Sequence, residues 1–79
     1  MRLSKFRELM NDEFGASYAA VLQADLVLTE FNDRTAAQLI ADGEDLREVW
    51  FAICRASGVP QDRWHGLNRT KRIEQKHEQ

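Results

Sequence analysis

Large apolar residues near the N-terminus recur at the spacing of one helical face. They are Phe6, Leu9, Met10 and Phe14, and charged or polar residues fill the intervening positions. Ser4 is a suitable N-cap, because a serine hydroxyl accepts a hydrogen bond from a free backbone N–H. Gly15 is a suitable stop, because glycine adopts positive φ without strain. The pattern therefore predicts a first helix between Ser4 and Gly15.

A second helix, capped by Ser17, is predicted from a broader apolar face that continues as far as Leu28, with Phe31 near its end. The residues of this face are Tyr18, Val21, Leu22, Leu26 and Leu28. Asp25 falls on the same side of the helix, where we expect a structural ion pair with a nearby arginine, Arg34 being one candidate. Residues 32–34, "NDR", are typical of a loop.

Capping signals predict a short third helix and a longer fourth. Thr35 and Gln38 have the spacing of a capping box, and Gly43 ends this helix after about two turns. Asp45 and Glu48 form a second capping box at the start of the next helix. The positions expected to face inward are Ala36, Leu39 and Ile40 in the third helix, and Leu46, Val49, Trp50, Ile53 and Cys54 in the fourth.

The end of the chain is predicted to be less regular. Gly58 ends the fourth helix, and Pro60 prevents its continuation. Residues 61–67, "QDRWHGL", can form one more short turn in which Trp64 folds back on the core. The expected fold is all-α, a compact small bundle of three to four helices. It comprises a helical domain in residues 1–64 and a charged, flexible tail in residues 65–79.

Composition limits the class of protein. A chain of 79 residues forms one domain, and its single cysteine allows no internal disulfide, which favours a cytoplasmic location. The N-terminal "MRLSKFRELM" is too charged for a secretory signal, and no apolar run is long enough to span a membrane. The net charge of −2 gives no overall nucleic-acid signature, although the C-terminal end carries a basic surplus.

Motifs that would carry chemistry are absent from the sequence. It has no phosphate-binding loop, no paired-cysteine metal site and no set of nucleophile, base and orienting group, so we predict no cofactor, no metal and no enzyme activity. Cys54 falls on the apolar stripe, where it acts as a small hydrophobe. The acidic group Asp42, Glu44 and Asp45 lacks calcium-loop spacing. We expect Asp45 to cap a helix and the other two carboxylates to be solvated.

Three stretches resemble a known family of small actinobacterial proteins described only as a domain of unknown function. They are "MRLSKFRELMNDEFGASYA", "VLTEFNDRTAAQLIADG" and "VWFAICRASGVP", which together span about residues 1–60. The resemblance implies a small, helical, cytoplasmic protein without established catalytic residues. Some family members are encoded beside recombinase A, which associates the family with DNA repair. This chain differs in Phe51, where members usually have a basic or polar residue, and in its charged extension after Pro60.

The third and fourth helices also have the spacing of a DNA-binding helix-turn-helix, with Val49 six positions after Gly43. In that interpretation the reading helix is residues 46–57. Its outward positions would be Arg47, Glu48, Phe51, Ala52 and Arg55. Its N-terminal end is acidic, which has the wrong sign for phosphates, so DNA binding through this helix is not favoured.

Two other surfaces could bind a partner. Arg47, Phe51 and Arg55 are spaced at i, i+4 and i+8 and form one ridge, and aromatic and arginine side chains often dominate protein interfaces. An unknown protein partner is therefore the first hypothesis, with the chain as a monomer or weak homodimer. Alternatively, Phe51 packs against Trp64 or the first helix as part of the core. The alternative partner is nucleic acid, bound by the tail residues Arg69, Lys71, Arg72 and Lys76.

Overall fold

Four α-helices and a two-stranded antiparallel sheet make up residues 1–65, the part of the chain that the computed structural model describes. The regular elements are α1 (Leu3–Phe14), α2 (Ala16–Asp25), β1 (Val27–Leu28), β2 (Arg34–Thr35), α3 (Ala36–Ala41) and α4 (Leu46–Ser57). Single 3-10 turns occupy Thr29–Phe31 and Gln61–Arg63. The fold is mainly helical as predicted. The tail predicted for residues 65–79 lies almost entirely outside the described residues.

The small sheet corrects the all-α prediction. Val27 pairs with Thr35 and Leu28 with Arg34, in antiparallel register. Residues 32 and 33 close the hairpin at positive φ, 60° and 62°, a conformation that Asn and Asp tolerate better than most residues. The predicted extension of the second helix through Leu28 is therefore wrong, because the backbone of residues 27–28 pairs with β2 instead.

The first two helices begin without side-chain caps, so the predicted caps Ser4 and Ser17 are wrong. α1 begins one residue before Ser4, with Arg2 at the N-cap position, and α2 follows directly on Gly15. Gly15 separates the two helices at φ 82°. The prediction that it ends α1 is confirmed.

The caps of α3 and α4 agree better with the sequence. Thr35 and Gln38 form both hydrogen bonds of the capping box. The Asp45 carboxylate accepts from the backbone N–H of Arg47 at 2.9 Å and so caps α4, as predicted. The predicted second capping box is wrong, because Asp45 bonds to Arg47 and not to Glu48. Gly58 adopts the left-handed conformation at φ 74° and ends α4, as predicted.

α4 lies at the centre of the core. Its predicted stripe is confirmed, with Val49, Trp50, Ile53 and Cys54 buried and Leu46 partly buried. The side chains buried around α4 are Phe6, Leu9 and Met10 from α1, Ala19 and Leu22 from α2, and Leu28, Ala36, Leu39 and Val59. The predicted orientation is wrong for three side chains. Tyr18 and Val21 are 55% and 50% exposed, whereas Ala52, predicted to face outward, is buried.

Arg34 joins the hairpin to the turn between α3 and α4. Its guanidinium lies 2.7 Å from Asp42 and 3.2 Å from Glu44, and its Nε donates to the carbonyl of Phe31. The expected pair of Arg34 with Asp25 is therefore wrong, because β2 places Arg34 beside the acidic turn. The side chains of Asp42 and Glu44 stay 51% and 38% exposed, as expected of solvated carboxylates, although both also pair with Arg34.

Candidate functional site

A groove of about 320 Å³ lies between the start of α1, one side of α4 and the turn that follows Pro60. We call it the α1/α4 groove. Its lining residues are Met1, Lys5, Leu9, Arg47, Trp50, Phe51, Trp64 and His65. Pockets that bind small ligands have volumes of roughly 300–1,000 Å³. The groove is therefore large enough for one or two side chains of a partner.

The long sides of the groove are formed by α1 and α4, and the helical repeat determines which side chains of each helix line it. Lys5 and Leu9 are one turn apart on α1, with Leu9 at the buried floor and Lys5 at the exposed rim. Arg47 and Phe51 are one turn apart on α4. Each helix thus presents a cationic side chain and apolar surface to the same opening, and Trp50 adds a second aromatic ring from α4.

The third side of the groove is the C-terminal turn, which is held by specific hydrogen bonds. The Nε1–H of Trp64 donates to the carbonyl of Val59 at 2.8 Å, and the Nε1–H of Trp50 donates to the carbonyl of Trp64 at 2.7 Å. Arg63 makes a paired hydrogen bond to the carboxylate of Glu13, at 2.9 and 3.2 Å. The prediction that Trp64 folds back on the core is confirmed.

Phe51 is partly buried, and its main neighbour is Trp64. The two rings stack with centroids 5.0 Å apart and an interplanar angle of 30°. The guanidinium of Arg47 lies over the Phe51 ring at 5.5 Å. The interpretation of Phe51 as a residue that packs against Trp64 is therefore confirmed. The stacked pair nevertheless lines the groove, where it is accessible to a binding partner.

Arg55, the third residue of the predicted ridge, is directed elsewhere. Its guanidinium makes a paired hydrogen bond to the Glu30 carboxylate, with Nε to Oε2 at 3.0 Å, and lies 5.9 Å from the Trp64 ring centroid. The hydrogen bond from Arg55 lowers the pKa of the Glu30 carboxyl. The structure thus brings Arg47 and Phe51 together in the groove, whereas Arg55 does not line the groove and pairs with Glu30 instead.

Cys54 is buried, and its thiol has low reactivity. Burial raises the pKa of its thiol to about 12, so the thiolate that would react or bind a metal is scarce at neutral pH. Within residues 1–65, no three histidine, cysteine or carboxylate side chains converge on a point where a metal ion could bind. No described helix combines the length and the apolar character needed to cross a bilayer.

The charges of the groove have one sign. Its ionisable side chains are Lys5, Arg47 and His65, and no carboxylate is among its lining residues, although the chain as a whole has a net charge of −2. Sequence reasoning found Arg47 and Phe51 but missed Lys5. Nothing in the spacing of residues 1–10 indicates which part of α4 they contact, so no sequence signal could have placed Lys5 beside Arg47.

A comparison with protein families matches residues 1–62 to one described as Protein of unknown function (DUF3046). The chain belongs to this family. The matched region of this DUF3046 protein contains all four α-helices, whereas Trp64 and His65 lie just beyond it. Comparisons with curated proteins and with solved structures gave no match. The resemblance noted in the sequence is thereby confirmed at the level of the family.

Proposed function

We propose that the protein is a non-enzymatic, cytoplasmic interaction module that binds a segment of a partner protein in the α1/α4 groove. The observation that carries this proposal is the combination of a stacked aromatic pair, Phe51 and Trp64, with the cations Lys5 and Arg47 around one opening. Tryptophan and arginine are enriched among the residues that contribute most to protein interfaces.

The pre-formed arrangement of the groove supports binding. The hydrogen bonds of Trp64 and its stacking on Phe51 already fix both rings in the free protein. Immobilising a flexible side chain on association costs about 0.5–1.5 kcal/mol, and rings that are already fixed do not incur this cost. The guanidinium of the exposed Arg47 lies over Phe51, so this cation already stands beside the aromatic pair.

The chemistry of the groove supports a binding role over catalysis. His65 is the one imidazole in its lining, and neither a nucleophile nor a carboxylate stands beside it among the described lining residues. The buried Cys54 does not line the groove. Acid–base or nucleophilic catalysis needs at least two such groups within hydrogen-bond reach.

Affinity capture with matched charge variants tests the proposal. Full-length protein is used as bait in cytosol of its own source cells, beside Lys5→Glu, Arg47→Glu and a control, Arg7→Glu. Arg7→Glu makes the same charge change on α1, but Arg7 does not line the groove. We expect the two groove variants to lose a partner that the wild type and Arg7→Glu retain. Equal recovery of every captured protein by all four baits would contradict the proposal.

A chain ending at Gly66 separates the groove from the tail. Because every lining residue remains in this shorter chain, we expect it to keep the same partner. Loss of the partner would instead indicate that residues 67–79 carry the contact.

Nucleic acid is the second candidate partner, on account of the basic surplus in the C-terminal end. Arg69, Lys71, Arg72 and Lys76, which would carry it, lie outside the described residues. An actinobacterial origin and a gene position beside recombinase A, both implied by the family resemblance, would favour this candidate. The acidic residues at the start of α4, Glu44, Asp45 and Glu48, argue against a helix-turn-helix mode, because DNA affinity depends largely on neutralising phosphates.

A further inference from the structure

We propose that the segment bound in the α1/α4 groove is acidic and carries one large apolar side chain between or beside its carboxylates. This inference rests on the proposed function and adds the chemistry of the partner. The charges and the apolar surface that line the groove indicate this class of peptide.

The charge of the rim indicates carboxylates in the partner. Lys5 and Arg47 are both exposed and come from different helices, so their charges approach the groove from two sides. No acidic residue lines the groove to neutralise them. Among the described residues, the one ion pair that Lys5 makes is a 3.6 Å contact with Glu8, and such exposed pairs contribute little. Carboxylates of a partner can therefore pair with both cations without displacing a strong internal partner.

The floor of the groove indicates an apolar anchor. Leu9 and Trp50 are buried there, and Phe51 and Trp64 are partly buried above them. The indole N–H groups of Trp50 and Trp64 are both occupied by backbone carbonyls. The floor thus offers apolar contact area with few free polar groups, and an aliphatic or aromatic side chain suits it better than a polar one.

The surroundings of the groove favour a short acidic segment over a long polyanion. Glu8 stands beside Lys5, and Asp45 and Glu48 flank Arg47 along the chain. A nucleic-acid strand that continued past the groove would bring its phosphates towards these carboxylates. A peptide with carboxylates only at the groove avoids this repulsion.

A peptide selection tests the inference. A display library of short random peptides is selected on the full-length protein, and the enriched peptides are then measured against the wild type, Lys5→Glu, Arg47→Glu and Arg7→Glu. We expect enriched peptides to combine Asp or Glu with one Leu, Phe or Trp. We also expect each groove variant to bind them about tenfold more weakly, while Arg7→Glu binds as the wild type does. Circular dichroism of the variants checks that all remain folded.

The outcomes separate this inference from the proposed function. Enriched peptides that bind through the groove but lack acidic residues would overturn the inference and leave the proposed function standing. Peptides whose affinity is the same for all four proteins would overturn both, because the contact would then lie elsewhere. Absence of any enrichment would overturn the inference alone, and the affinity capture would still decide the function. Tighter, groove-dependent binding of a single-stranded oligonucleotide than of any peptide would also overturn it.

Discussion

Replacing Trp64 by alanine tests whether the C-terminal turn is part of the packed domain. In the structure this side chain stacks on Phe51 at 5.0 Å and donates a hydrogen bond to the carbonyl of Val59 at 2.8 Å. An aromatic pair contributes about 0.5–1.5 kcal/mol and a net hydrogen bond about 1 kcal/mol. Replacing a fully buried Trp by Ala costs about 3–5 kcal/mol. Because Trp64 is only partly buried, we expect Trp64→Ala to lower the free energy of unfolding by about 2–3 kcal/mol.

The matched control for this change is Trp64→Phe. Phenylalanine keeps a ring that can stack on Phe51 but lacks the indole N–H, so the expected loss is about 1 kcal/mol. Urea unfolding of the full-length protein, followed by far-UV circular dichroism, measures all three free energies. In a domain of this size, 1 kcal/mol corresponds to roughly 4–8 °C in Tm, so thermal unfolding provides a second measurement.

The result that would refute this reasoning is a Trp64→Ala protein whose free energy of unfolding is within about 0.5 kcal/mol of the wild type. The turn would then contribute nothing to the domain, which would end near Pro60, and the groove would lack its third side. Equal losses in Trp64→Ala and Trp64→Phe would show that the hydrogen bond to Val59, and not the stacking, holds the turn.

Four further predictions concern Cys54, Glu30 and the tail. At about pH 8, native Cys54 should resist thiol reagents that label it fully in urea, because burial raises its pKa. The free energy of unfolding should fall by roughly 1–2 kcal/mol between neutral pH and pH 10, where the unfolded thiol ionises but the buried native thiol does not. Cys54→Ala should remove this fall. The Glu30 carboxyl should titrate below the ordinary glutamate value, and Arg55→Gln should restore that value in an NMR titration. The Glu30–Arg55 pair therefore contributes its full stabilisation at pH values above the ordinary glutamate pKa. This stabilisation is lost as the pH falls through the lowered pKa of Glu30. Finally, if residues 66–79 bind nucleic acid, a gel shift at low salt should disappear in a chain ending at Trp64; no shift with the full chain would reject that alternative.

The parts of the fold that could be predicted from the sequence are those fixed by local chemistry. The capping box of Thr35 and Gln38 and the stop at Gly58 depend on groups only a few residues apart. The apolar stripe of α4 is equally local, because one helical period determines it. These features appear in the structure where the sequence places them.

The hairpin could not be predicted because its strands are too short to leave a pattern. The two apolar residues Val27 and Leu28 show no alternation, and Leu28 also continues the apolar face predicted for the second helix. What ends α2 is the pairing of β1 with β2 across the turn at residues 32–33, which is a tertiary event. The same pairing moved Arg34 away from Asp25.

The candidate site shows the same division between local and tertiary information. Arg47 and Phe51 are one turn apart, so the sequence alone indicates that they share a face. The addition of Lys5 and Trp64 depends on how α1 and the C-terminal turn pack on α4. The direction of Arg55 depends on Glu30, which is 25 residues away in the sequence.

Tryptophan fluorescence tests the central claim, that the α1/α4 groove is the binding surface, most directly. The chain contains two tryptophans, and both line the groove. We therefore predict that a captured partner, or an acidic peptide selected on the protein, changes the emission as it binds. The effect should weaken with added salt and in Arg47→Glu, but not in Arg7→Glu. Saturable binding that leaves the emission unchanged and is equally tight in Arg47→Glu would contradict the claim.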